Sequence, residues 1–254
     1  MTKYKNPPVV EVVAELRFKP VTPWDLVFPG LVWEKLRHEF PKRRQLNVFG
    51  QLPFGQPPHG VDKAAAGQIQ FQLVSETRTQ FIREDESALI QFAPNFLAIN
   101  HLRPYTDWET SFVPILRSGL AAYQEIVGEQ PAMGLTLQYV NNLQIPTVEQ
   151  TCRYEDYLNF KPSFGEPLPQ DHGPCFMSVF YPFESARDWL KVELRTIEIG
   201  AEKGLFQLHL QYSLNKTDLE GSLTDWFNVA HGHIEDIFEA CINERLRDIF
   251  QRTD

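Results

Sequence analysis

The chain has 254 residues, 22% of them charged and 43% hydrophobic, with 33 Asp/Glu against 24 Lys/Arg for a net charge of −9. Those proportions suit one large globular domain or two compact halves sharing a sheet, and they exclude wholesale disorder. The charge is uneven: residues 1–127 hold 14 Lys/Arg and 13 Asp/Glu, while 128–254 hold 10 and 20, so the second half repels phosphate backbones and nucleic acid is not an expected partner.

The chain opens with Met1-Thr-Lys-Tyr-Lys-Asn-Pro-Pro, two lysines and no apolar stretch, which is not the pattern of a secretory signal. No later run is long enough to span a bilayer, so no membrane partner is expected. From Val9 to Phe18 the sequence alternates: Val10, Val12, Ala14, Leu16 and Phe18 face one way, and Glu11, Val13, Glu15 and Arg17 the other. That is a strand with one buried face. Pro29 stands at a helix N1 position, and Leu31, Val32, Leu36 and Phe40 predict a short helix closed by Pro41. Lys42-Arg43-Arg44 reads as its solvated end. Leu46 to Gly67 carries Pro53, Pro57 and Pro58 and predicts an irregular excursion.

Strands return at Gln68–Val74, Arg78–Arg83 and Ala88–Asn100, with Glu84–Ser87 as a hairpin turn and Pro94 marking a bulge or edge. Thr106 reads as an N-cap with Glu109 completing a capping box, and Pro114 should kink the following helix or mark its true start. Gly134–Ile145 predicts the next strand, Tyr154–Phe160 a short helix, and Lys161–Pro174 a second irregular loop. Three more strands follow at Phe176–Pro182, Trp189–Gly200 and Leu205–Asn215. A last helix runs from Leu223 or Thr224 to about Phe250, with Trp226, Ala230, Ile234, Cys241 and Leu246 on its apolar face.

Thr106-Asp107-Trp108 and Thr224-Asp225-Trp226 each follow a strand and a polar turn and open a long periodic segment. Strand, helix, several strands, helix therefore occurs twice, over 1–128 and 129–254, which predicts an α+β fold with an internal duplication. The expected architecture is a curved antiparallel sheet with helices on one face, either two repeats or one continuous domain. Its element order resembles the TATA-binding-protein-like saddle, without a shared sequence motif.

In the last strand Phe206, Leu208, Leu210, Tyr212 and Leu214 should face the helices, leaving Gln207, His209, Gln211 and Ser213 on the open face. Gln70, Gln72, Thr136 and Gln138 repeat that choice, and Glu11, Glu15 and Arg17 join them. Glutamine both donates and accepts, so such a face can take a peptide edge, a nucleobase or a second copy of the chain. An ordinary solvated sheet face is the plainer alternative. Glu11, Glu15, Arg17, Gln70, Gln72, Gln138, His209 and Gln211 are the candidate binding residues.

Reaction chemistry is poorly represented. His231-Gly-His233 with Glu235-Asp236 is the one cluster of metal-ligand types, but on a helix only His231 and Glu235 share a face, so no metal site and no cofactor is expected. Asp188, Glu193 and Glu198 with Lys191 and Lys203 match part of a nuclease set, and surface ion pairing explains them better. No nucleophile elbow, phosphate loop, dinucleotide fingerprint or Cys-x-x-Cys occurs. Cys152, Cys175 and Cys241 are odd in number and far apart, which fits a reduced, cytoplasmic protein.

The opening Asn6-Pro-Pro-Val-Val-Glu-Val-Val-Ala-Glu-Leu-Arg-Phe18, with Leu135-x-x-x-Tyr139-Val140-Asn141, resembles a sporadically distributed prokaryotic protein family of about this length. The resemblance implies the domain layout and no activity. The expected function is therefore a non-enzymatic binding or interaction protein that uses the open face toward a protein partner or as a homodimer. The alternative is an enzyme or small-ligand sensor with a pocket between the halves, near the Pro-rich loops.

Overall fold

The computed structural model describes residues 3–21, 23–52, 72–162, 171, 173–184, 187–214 and 221–253. Its centre is a nine-stranded antiparallel sheet: β1 (Val9–Phe18), β2 (Lys42–Leu52), β3 (Gln72–Ile82), β4 (Ala88–Ala93), β5 (Phe96–Leu102), β6 (Ala132–Pro146), β7 (Phe176–Phe183), β8 (Asp188–Ile199) and β9 (Lys203–Leu214). Four α-helices accompany it: α1 (Phe28–Leu36), α2 (Val113–Val127), α3 (Leu223–Cys241) and α4 (Glu244–Phe250). The strands lie in the order β2-β3-β4-β5-β1-β6-β9-β8-β7, so β1 and β6 meet at the centre. Among the described residues no helix is long and apolar enough to cross a membrane.

Alternation in the strands decides the layering. Val12, Ala14, Leu16 and Phe18 of β1, Leu135, Leu137 and Tyr139 of β6, and Phe206, Leu208, Leu210 and Tyr212 of β9 are buried in one continuous core. The buried residues of all four helices, among them Leu36, Tyr123, Ala230 and Leu246, belong to that same core. On the opposite face Ala93, Phe96 and Ala98 form a small separate cluster. Helices thus cover one side, because only that side of each strand offers a continuous apolar stripe.

Several expectations need correction. The helix before Pro41 ends at Leu36, and Lys42-Arg43-Arg44 opens β2 instead of closing a helix. Its side chains find partners there: Arg44 Nε donates to Gln80 Oε1, and Arg43 lies 4.6 Å over the ring of Trp33. The stretch expected to be irregular from Leu46 is strand as far as Leu52, paired with β3 down to Gln72. The two expected strands over 68–83 are one strand from Gln72; residues 53–71, Gln70 among them, lie outside the described residues. Pro94-Asn95 is the tight turn of the β4–β5 hairpin, not a bulge, with Asn95 at φ 57°, a region asparagine tolerates.

The caps differ as well. Asp107, not Thr106, is the N-cap: its carboxylate accepts from Thr110 N at 2.7 Å, opening a single π-helical turn over Trp108–Phe112. Pro114 then sits in the first turn of α2 and so marks the true start of that helix. Asp225, by contrast, lies three residues inside α3, where Ser222 is the cap and bonds the Asp225 N–H. The two Thr-Asp-Trp copies therefore occupy different helix positions. Tyr154–Phe160 contains only one 3-10 turn, Tyr154–Asp156. The last helix is broken after Cys241: Ile242 bridges Leu158, Asn159 Nδ2 donates to the Ala240 and Ile242 carbonyls, and Asn243 caps α4 by accepting from Arg245 N.

Candidate functional site

The helix-free face carries the polar residues that the strand alternation places there, and most of them bond one another. Asn100 Nδ2 donates to Glu11 Oε1 at 2.7 Å, and Gln211 Nε2 to Ser213 Oγ at 3.1 Å. At the centre His209 Nε2 and Gln138 Oε1 are 3.0 Å apart, which makes the imidazole nitrogen the donor and leaves Nδ1 the unprotonated one. Gln138 also stands diagonally beside Glu15 across the β1–β6 register, where it acts to lower that carboxyl. His209, Gln138 and Glu15 thus lie along one diagonal across β9, β6 and β1. Burial, the largest cause, raises the Glu15 carboxyl above its usual range, against the pull of Arg17 and Arg78; burial likewise lowers His209 to about 4.

Beside Glu15 lies a feature that the sequence reading did not find. Phe96, fully buried although it faces away from the helices, has Arg78 at 3.9 Å and Arg17 at 4.9 Å over its ring. Arg78 also pairs with Glu76 at 2.9 Å. Two guanidiniums on one aromatic ring roof this part of the face with positive charge. The signal was present in the sequence as an apolar residue at an open-face position opposite Arg17, which only the β1–β5 register reveals. Of the expected binding residues, the structure joins Gln138 and His209, places Glu15, Arg17, Glu11 and Gln211 around them, and leaves Gln72 far out on β3.

The other clusters resolve differently. Asp188 is fully buried and accepts from Arg187 Nη2 at 2.8 Å and the Tyr212 hydroxyl at 3.2 Å, whereas Glu193 pairs with Lys191 on the opposite face of β8. The acidic residues of β8 therefore do not converge. His231 stacks on Trp108 with ring centroids 4.4 Å apart, and His233 stacks on Tyr212 at 5.3 Å. Among the described residues no group of three or more His, Cys, Asp or Glu side chains is placed to hold a metal.

A cavity of about 790 Å3 opens where the two halves of the chain meet at one end of the sheet. Lys5 to Val9, Arg103 to Thr106, Asn142, Gln144, Leu205, Ile249 and Phe250 line it. The leading segment is pinned in place by Lys5 N bonding the Gln251 carbonyl and Asn6 N bonding that of Phe250, both at 3.0 Å. Tyr105, in its wall, reaches inward to the Tyr139 hydroxyl at 3.0 Å, and Tyr139 reaches His231 Nδ1 at 2.8 Å. The Pro-rich stretches expected to border such a pocket lie for the most part outside the described residues. No protein-family model matches this chain, and no curated protein matches it.

Proposed function

We propose that the chain is a binding protein whose helix-free sheet face receives an extended segment of a protein partner. One observation carries this reading: His209 is hydrogen-bonded to Gln138, which stands diagonally beside Glu15, and burial shifts both the imidazole and the carboxyl on a face that no described helix covers. Desolvated, mutually oriented polar groups are a common mark of recognition sites. The His209–Gln138 bond holds both side chains in fixed orientation, so a bound backbone meets preset donors and acceptors at little entropic cost. A duplicated, saddle-like origin for this face is part of the proposal. It is supported by a sheet order in which β5-β4-β3-β2 run outward from β1 and β9-β8-β7 outward from β6. It is not supported by the Thr-Asp-Trp copies, whose helix positions differ.

The test is native mass spectrometry of protein purified from its own host, comparing wild type with the double variant Gln138→Ala/His209→Leu. A stoichiometric partner or second copy that is held by wild type and lost in the variant is the expected result. Equal retention by both proteins, or a bare monomer in both, defeats the reading.

A second reading, a small-ligand sensor, has its own support in the cavity between the halves. Its volume lies within the several-hundred Å3 range usual for small-molecule sites. None of Glu11, Glu15, Arg17 and His209 lines it, so the two readings concern separate surfaces.

A further inference from the structure

The cavity at the end of the sheet has a composition at odds with the rest of the chain. Acidic residues outnumber basic ones 33 to 24 overall, yet among the described residues the lining holds Lys5 and Arg103 and no carboxylate. Arg103 is held by the carbonyls of Val9 and Pro8, at 3.2 and 3.4 Å, so its position is fixed without its charge being neutralised. Among the described residues neither Lys5 nor Arg103 is placed in an ion pair. The lining also holds the amides of Asn142 and Gln144 and the apolar side chains of Leu205, Ile249 and Phe250.

We propose that this cavity binds a small organic anion: an apolar or aromatic body bearing one carboxylate or phosphate, with Lys5 and Arg103 taking the charge. The proposal rests on the small-ligand reading and adds the ligand's chemical class. Cations beside low-dielectric walls focus their field into the cavity, and no carboxylate among the described lining residues opposes that field. The amides supply donors to the remaining anion oxygens. The apolar floor gives the body of the ligand a surface to leave water against, which free phosphate cannot exploit.

The experiment is isothermal titration calorimetry of the full chain with four probes: phenyl phosphate, benzoate, benzyl alcohol and inorganic phosphate. The expected result is that phenyl phosphate or benzoate binds at least about tenfold more tightly than benzyl alcohol and inorganic phosphate. Which of the two aromatic anions binds more tightly tells a phosphate site from a carboxylate site. Lys5→Gln, at an exposed position, and Leu205→Glu, which adds a carboxylate to the wall, should each weaken that binding about tenfold or more without lowering the melting temperature. Benzyl alcohol binding as tightly as the anions overturns the anion assignment while leaving the small-ligand reading standing. No binding by any of the four up to about 1 mM overturns both. Undiminished anion binding by the Leu205→Glu protein also overturns the proposal, because the anion is then held elsewhere.

Discussion

His231 Nε2 lies 3.3 Å from Glu235 Oε1, one turn further along α3, yet the two groups are not aligned for a hydrogen bond. Nδ1 of the same ring lies 2.8 Å from the Tyr139 hydroxyl, whose own ionisation is pushed far up by burial, and that hydroxyl lies 3.0 Å from the Tyr105 hydroxyl. Burial lowers His231 from 6.5 to about 4 and raises Glu235 from 4.5 to about 7. Asp236 and Glu239 on the same helix add to the upward push on Glu235.

These shifts act on stability with opposite sign. On acidification, unfolded chains protonate His231 from about 6.5 while the folded one waits until about 4, so stability falls over that window. On alkalinisation, unfolded chains ionise Glu235 from about 4.5 while the folded one waits until about 7, so stability falls there too. Between about 4.5 and 6.5 the two slopes cancel. Replacing one partner unmasks the other. Glu235→Gln should leave stability unchanged near pH 4 and raise it progressively to about pH 7, with no further gain above. Because 35% of the Glu235 side chain is exposed, solvent screening holds the gain to about 1 kcal/mol. Urea unfolding of both proteins from pH 4 to 8 measures it; a difference that does not vary with pH refutes the assignment.

Asp107 is the clearest cap in the first half, accepting from the Thr110 N–H and hydroxyl, and those bonds hold its carboxyl below the usual range. A depressed carboxylate contributes stability above its unfolded pKa and loses it as pH falls through the folded value. Asp107→Ala should cost about 1 kcal/mol at pH 7, with the cost shrinking below pH 4. Thr106→Ala, by contrast, should be nearly silent. Equal losses for the two would restore Thr106 as the cap.

How much of this was legible in the sequence follows from range. The alternation of β1, β6, β8 and β9 has a period of two residues, and their bounds and buried faces could be read directly. What needed the third dimension was missed. Lys42-Arg43-Arg44 belongs to a strand because β3, over thirty residues on, pairs with it. The break after Cys241 depends on Asn159 and Leu158 reaching across from a distant turn. At the open face the sequence supplied Glu15, Arg17, Gln138 and His209 but not their order, since the line from Glu15 through Gln138 to His209 is diagonal and depends on the registers of two strand pairs. Lys5, Arg103 and Phe250 share a cavity only because the chain's two ends run side by side.

Gly119, in the middle of α2, has its reason in packing: a Cβ there would stand 3.1 Å from Ile90 Cδ1 and 3.4 Å from Ile99 Cγ1. The helix lies close against β4 and β5 at this point. Gly119→Ala gains about 1 kcal/mol of helix propensity against a contact that a flexible side-chain end can relieve, so its net effect should be small. Gly119→Leu has no such escape and should cost about 2–3 kcal/mol by overpacking. Thermal melts of the two variants decide it; a leucine variant as stable as wild type means that the helix stands further from the sheet.

Asp188 is the one fully buried carboxylate among the described residues, and both of its hydrogen bonds end on Oδ2, leaving Oδ1 without one. Its partners differ in kind: the Arg187 guanidinium, 27% exposed, keeps access to water, whereas the Tyr212 hydroxyl is buried with it. Removing the carboxylate therefore strands the tyrosine and frees the arginine. Asp188→Ala should cost about 3 kcal/mol, near the lower end for breaking a buried pair, because Arg187 can turn outward. Asp188→Asn keeps a group that can accept from Tyr212 and loses only the charge, so it should cost about half as much. If the two variants lose equal stability, the charge rather than the tyrosine bond is what matters at this site. If neither loses any, Asp188 is not held as described.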